Sequence, residues 1–155
     1  MNRSLRIETE NRKRQRQKDI AGAGVTQVTF QIPIRGSAGN GLQMSPTDLL
    51  PFDVRFEPEQ GRMFPRTPGF TSGFSLESDR GNINDMLGIV GFANVAHWSR
   101  DRNGYFDGAI VHIGVVHLGQ FDEPVAYKGF VTCAFVGTAL QSPVDMPNRP
   151  FRRSN

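Results

Sequence analysis

Alternating apolar and polar positions predict β-strands in the part of the chain that follows residue 24. In residues 25–32, Val28, Phe30 and Ile32 fall on one face and polar side chains on the other, which is the two-residue period of a half-buried strand. Pro33 follows and has no backbone N–H group, so the pattern predicts that this strand ends there or lies at a sheet edge. Residues 52–56 alternate in the same way and predict a short strand.

A β-hairpin is the clearest local prediction. Residues 89–98 and 105–118 are strand-like runs, and Asn103-Gly104 between them favours the positive φ values of a type I′ turn. Residues 109–118 are almost continuously apolar. This run predicts a central strand that is covered on both faces, either by a second sheet or by a partner subunit.

The remaining segments complete an all-β plan. Residues 125–140 predict a third long strand, whereas the Gly-, Ser- and Pro-rich residues 35–51 and 60–72 predict long loops. Six or seven strands without an internal repeat favour an antiparallel β-sandwich or jelly roll over residues 25–141.

Charge sets off residues 1–24 as a basic N-terminal arm that ends in a glycine hinge. Seven Lys and Arg residues lie among the first 19 positions against three acidic residues. The pairs Glu8–Arg12 and Glu10–Arg14 favour helix, but no apolar stripe is present to dock a helix. We therefore expect a partly helical or disordered arm that binds a partner. The candidate partner-binding residues are Arg3, Arg6, Arg12, Lys13, Arg14, Arg16 and Lys18.

Residues 142–155 form a tail rich in Pro and Arg. Proline cannot donate to a strand ladder, so the sequence predicts an extended segment that runs over the surface or onto a neighbouring copy. The candidate interface residues of the tail are Arg149, Phe151, Arg152 and Arg153.

Candidate chemistry is sparse. Cys133 is the single cysteine, which excludes an intrachain disulfide, and its apolar neighbours indicate a buried structural thiol. His112 and His117 are five residues apart and so point to opposite faces of a regular strand. The sequence contains no nucleophile elbow, P-loop or dinucleotide-binding motif. We therefore expect no enzymatic activity, no cofactor and no metal.

Two further expectations concern location and ligands. No apolar run is long enough to span a membrane, and no apolar segment follows the basic N-terminal residues, which predicts synthesis in a cytoplasm without membrane association. Trp98 and Tyr105 flank the hairpin tip, where aromatic rings can form a platform for a sugar. A cross-strand pair or an interface anchor explains the same two residues.

The hairpin resembles those of small β-sandwich structural proteins in phage and virus particles. The resemblance runs from Trp98 through the Asn103-Gly104 turn into residues 105–115, YFDGAIVHIGV. The plan of arm, body and tail is also similar to that of virion proteins whose termini contact neighbouring subunits. The resemblance implies a homo-oligomeric virion protein of a capsid, connector or tail, made in the host cytoplasm, with itself and other virion proteins as partners.

Two alternatives stay open at this point. One is a carbohydrate-binding or receptor-binding module that uses the aromatic hairpin tip. The other is a coat protein that packages nucleic acid through the arm, because its bases could neutralise phosphates.

Overall fold

The computed structural model describes residues 5–8, 13–16, 25–38, 41–58, 67–78, 88–118 and 124–140, with the backbone alone described for 13–16. These residues form an all-β structure with two antiparallel sheets, as the sequence predicts. The strands are β1 (Arg6–Ile7), β2 (Lys13–Arg16), β3 (Val25–Ala38), β4 (Gly41–Pro46), β5 (Leu50–Phe56), β6 (Gly69–Ser78), β7 (Ile89–Arg100), β8 (Phe106–His117) and β9 (Val125–Thr138).

Sheet A is built on the long pair β3 and β9. The two strands are in register along their whole length, from Val25 opposite Thr138 to Ala38 opposite Val125. Strand β6 extends the sheet beyond β9. Strands β1 and β2 follow each other along the free edge of β3, so the described parts of the arm complete this sheet.

Sheet B is centred on β8. Strand β7 pairs with one side of β8, and β4 and β5 follow each other along its other side. Thr47 bridges the gap between β4 and β5, because its backbone N–H donates to the Val111 carbonyl and its Oγ1 accepts from the Val111 N–H at 3.0 Å. Strands β4 and β5 each pair with β8, and together they act as one interrupted strand beside it.

The inner faces of the two sheets share one hydrophobic core. Val28, Phe30 and Ile32 are buried on one face of β3, which confirms the predicted alternation. Phenylalanines from both sheets meet at its centre, where the rings of Phe52 and Phe135 are 4.8 Å apart. Such aromatic contacts account for much of the bulky apolar material in the chain.

A polar contact ties the sheets together at one end of the core. The hydroxyl of the fully buried Tyr127 on β9 donates to Gln43 Oε1 on β4 at 3.2 Å. Gln43 Nε2 in turn donates to the Ser37 carbonyl on β3. Gly36 makes room for the ring, because a Cβ there would lie 2.5 Å from the Tyr127 hydroxyl.

The predicted hairpin is confirmed, but its turn differs from the type I′ prediction. The Asp101 N–H donates to the Tyr105 carbonyl and the Gly104 N–H to the Asp101 carbonyl, which defines a three-residue loop. Gly104 has a φ of +90°, as expected for the residue that follows a type I turn in such loops. Asp101 favours this loop because its Oδ1 accepts from the N–H groups of Asn103 and Tyr105.

Three predictions about strand ends are wrong. Strand β3 continues through Pro33 to Ala38, the predicted loop 35–51 contains all of β4, and β6 begins at Gly69 within the predicted loop 60–72. The Pro33 carbonyl accepts from the Glu8 N–H, just beyond the end of β1. The N–H group that proline lacks would point to the same side of β3, where the pairing with β1 ends, so Pro33 is tolerated at this position. Strand β4 is stabilised by pairing with β8, a partner more than sixty residues away.

The predicted helical turns do not occur in the described residues of the arm. Arg6–Ile7 and Lys13–Arg16 are strands because pairing with β3 satisfies their backbone groups. Glu8 forms an ion pair with Arg35 at 2.7 Å. Leu5 is buried in the core, so this residue of the arm packs with the body.

Candidate assembly interface

The outer faces of the two sheets differ in polarity. The outer face of sheet A carries polar and charged side chains, including Lys128 and Glu77, whose Nζ and Oε1 atoms are 4.0 Å apart, and Gln27, which donates to Thr29 Oγ1. Phe130 is an exposed apolar exception on this face. Such a face is typical of a solvated sheet surface.

The outer face of sheet B is apolar along β4 and the adjoining parts of β7 and β8, whereas β5 presents Asp53 and Arg55 outward. On β8, Ala109, Val111, Ile113 and Val115 are fully buried in the core, so the side chains between them point outward. Residues opposite these outward positions on β4 and β7 share the same face. We call the following set the apolar face: Leu42, Met44, Leu49, Val90, Phe92, Ile110, Val116 and Leu118, with the polar or small residues Pro46, Asn94, His97 and His112 between them.

The exposure of large apolar side chains is concentrated on this face. Among the described residues, six large hydrophobic side chains are exposed, and all except Phe130 belong to the apolar face. Leu42 is 54% exposed and Leu118 is 69% exposed. Single exposed apolar residues are ordinary, but a contiguous patch on one sheet marks an interaction surface.

Two glycines on β8 make the apolar face flat. The ring of Phe92 on β7 lies over Gly114, in the space that a Cβ would occupy, and the Leu49 Cδ1 atom lies 3.2 Å from the corresponding position at Gly108. Both side chains therefore lie down on the sheet instead of standing out from it. A flat surface of this kind is suited to stacking against another flat surface.

Charged groups are absent from the three strand segments that form most of the face. Residues 41–46, 89–95 and 110–118 contain no Asp, Glu, Lys or Arg. Asn94 and His112 are the polar residues near its middle and lie opposite each other in the register of β7 and β8. Each of these two side chains can donate and accept a hydrogen bond.

The size of the face sets the strength of the association it can support. Three strands by the eight residue steps from position 110 to position 118 measure about 14 Å by 27 Å, or about 400 Å². A standard protein interface buries about 800 Å² on each partner. The face alone therefore suits a weak, concentration-dependent contact, to which other parts of the chain would add.

The predicted arm residues are only partly described. Arg6 is exposed on β1, and Lys13, Arg14 and Arg16 lie on β2, where only the backbone is described. Arg3, Arg12 and Lys18 lie outside the described residues, as do the tail residues Arg149, Phe151, Arg152 and Arg153. The structure thus brings four of the seven arm bases to one edge of sheet A and leaves the tail prediction as it stands.

Trp98 is half-buried and packs against the core. The Trp98 ring packs edge-on against Phe106 and Phe135, with both centroids 5.7 Å away. The guanidinium of Arg100 covers the Phe106 ring at 4.9 Å. This packing supports the interpretation of Trp98 as part of a cross-strand pair, and the sugar platform stays a prediction.

The residues considered for chemistry do not form one cluster. His97 and His112 lie on the apolar face, because His97 is opposite Ile110 in the register, and His117 is buried on the inner side of β8. No cluster of three or more His, Cys, Asp or Glu residues that could hold a metal ion occurs in the described ranges. Cys133 is fully buried, and burial raises the pKa of its thiol to about 12. No helix in the part of the chain that the structure describes could cross a membrane.

Sequence reasoning missed the apolar face as a site, although it found one sign of it. The continuous apolar run 109–118 correctly indicated a central strand. It was also expected to be covered on both faces, and the described residues of the same chain cover only its inner face. Leu42 and Met44 carried a further signal, because they are two residues apart within the segment predicted to be a loop.

Compared with known proteins, the chain matches no family model, no curated protein and no solved structure.

Proposed function

We propose that this protein is a structural subunit that assembles with copies of itself, most specifically a component of a virion capsid, connector or tail. In this proposal the body is a β-sandwich or jelly roll, and the apolar face is a contact between subunits. The basic arm and the tail add contacts to neighbouring subunits and to other virion proteins. The observation that carries the proposal is the concentration of exposed apolar side chains on the outer face of sheet B.

Assembly explains this face better than a small ligand does. The face is flat, whereas small-molecule sites are concave and bury most of the ligand surface. Most of its hydrophobic side chains lie on three paired strands, of which β7 and β8 also contribute side chains to the core, so they form a rigid surface. Rigid apolar surfaces favour association with a partner because little conformational entropy is lost on binding.

The first test is the native mass of the full-length chain. We expect a defined oligomer at high concentration in sedimentation velocity, with the 260/280 nm absorbance ratio recorded on the same boundary. A ratio typical of protein alone favours a connector or tail component, and a ratio typical of nucleic acid favours the packaging coat. A monomer at every concentration would contradict the proposal.

A matched pair of variants tests whether the apolar face is the contact. Val116→Asp places a charge on the central strand of the apolar face, where assembly would bury it at a cost of several kcal/mol. Thr132→Asp places the same charge on an exposed position of β9, the neighbour of β3 in sheet A. We expect the first variant to be monomeric and the second to assemble like the wild type. Equal assembly by both folded variants would contradict the proposal that the apolar face is the contact between subunits.

A further inference from the structure

We infer that the apolar face binds the apolar face of a second copy, so that two subunits stack sheet B on sheet B about a two-fold axis. The inference rests on the proposed function and specifies the partner of the same surface. Its occupant is a second copy, and the contact is isologous, with each face presenting the same residues to the other.

The charge pattern favours a self-complementary contact. In an isologous interface, groups near the two-fold axis meet their own copies, so a charged group there would face a like charge. Residues 41–46, 89–95 and 110–118 carry no Asp, Glu, Lys or Arg. The central polar residues Asn94 and His112 can each donate and accept, so they can pair with their own copies across the axis.

The shape of the face also favours a contact with the apolar face of a second copy. Phe92 and Leu49 lie over Gly114 and Gly108, so these two side chains need no pocket on the partner. Two flat sheets stack about 10 Å apart with their strands within about 30° of each other. Among the described surfaces, the outer face of sheet A is polar, so the matching flat apolar surface that this chain offers is a second apolar face.

The buried area is consistent with a dimer that needs further contacts to be stable. Two faces of about 400 Å² bury about 800 Å² in total, which is below the 1,200–2,000 Å² of stable specific complexes. We therefore expect a weak stacked pair, which the arm and tail would reinforce within a larger assembly.

A charge-exchange experiment distinguishes this contact from one between unlike surfaces. His112→Glu and His112→Lys are prepared in the full-length chain, and one of them is labelled with ¹⁵N so that native mass spectrometry separates mixed pairs from like pairs. Each variant alone is expected to associate at least tenfold more weakly than the wild type, because two like charges meet in the stacked pair. Mixing them is expected to restore association, with mixed pairs at least tenfold more abundant than like pairs.

The controls keep the inference separate from the proposed function. Thr132→Glu and Thr132→Lys carry the same charges on sheet A, and they are expected to associate like the wild type without a preference for mixed pairs. If both His112 variants fail alone and also fail when mixed, the apolar face contacts a different surface, and the inference is overturned while the proposed function stands. If both associate like the wild type, the face is not a subunit contact and both proposals fail.

Folding of the variants is checked by cooperative thermal unfolding. If either His112 variant does not fold, Asn94→Asp and Asn94→Lys provide the same exchange at an exposed position directly opposite His112. The outcomes have the same meaning for that pair.

Discussion

Removing the hydroxyl of Tyr127 should weaken the connection between the two sheets by a predictable amount. The hydroxyl is buried and donates to Gln43 Oε1 at 3.2 Å, and Gln43 continues the contact to the Ser37 carbonyl. Tyr127→Phe keeps the ring and removes only this hydrogen bond. We expect the free energy of unfolding at pH 8 to fall by about 1 kcal/mol, the typical net value of one such bond. Gln43 is partly exposed, so water can satisfy the oxygen that loses its donor.

The difference in stability between the wild type and this variant should disappear at high pH. Burial raises the pKa of Tyr127 from 10.0 to about 12, because the phenolate would lose hydration in the core. The folded pKa exceeds the unfolded one, so this contribution to stability is complete below pH 10 and is lost as the pH rises towards 12. At pH 11 the wild type should have lost about 1 kcal/mol through this group, and Tyr127→Phe should have lost none of it.

Urea unfolding of both proteins at pH 8 and pH 11, at one fixed protein concentration, measures the effect. The difference between the two proteins at each pH cancels the groups that titrate in both. We expect the wild type to be more stable at pH 8 and the two proteins to be nearly equal at pH 11. A constant difference across this range would show that Tyr127 is not a buried neutral hydrogen-bond donor, and the described packing of the sheets would be incorrect at that point.

Two further predictions concern strand β9. Gly129→Ala should lower the free energy of unfolding by about 3 kcal/mol, because a Cβ there would overlap the Ser75 carbonyl. A Cβ at Gly73 on β6 would lie in open space, so Gly73→Ala should change the free energy of unfolding by less than about 1 kcal/mol. Equal urea midpoints for these two variants would contradict the close pairing of β6 and β9. Cys133 should resist a thiol reagent at pH 8 in the native protein, because burial raises the pKa of its thiol to about 12. It should react at once in urea, where the thiol is no longer buried. Rapid labelling of the native protein would contradict the position of Cys133 in the core.

Local patterns were sufficient where a strand pairs with its neighbour in the sequence. The β7–β8 hairpin and the alternation in β3 were predicted because hydrophobic periodicity and turn residues are local signals. Strand β4 was missed because its pairing with β8 depends on residues far away in the chain. The arm was predicted to be partly helical or disordered, with i,i+4 pairs such as Glu8–Arg12 favouring helix, but Glu8 pairs with Arg35 on the adjacent strand instead.

The candidate interface was less predictable than the fold for a related reason. It is created by register, which places Leu42, Val116 and Val90 in one row across three strands. No single segment of the sequence contains that row. The apolar run 109–118 indicated that a second cover was needed, but the sequence did not identify the residues beside it or the flattening of Phe92 onto Gly114.

The most direct test of the central claim is the solvent protection of the apolar face in the assembled protein. Met44 on this face is 46% exposed in the single chain, and Phe130 on the outer face of sheet A is 42% exposed, so they form a matched pair within one molecule. Hydroxyl-radical footprinting at concentrations above and below assembly should show Met44 protected in the assembled protein and labelled after dilution, with Phe130 labelled equally in both. Equal labelling of Met44 in the assembled and the dilute protein would contradict the claim that copies of this chain associate through the apolar face.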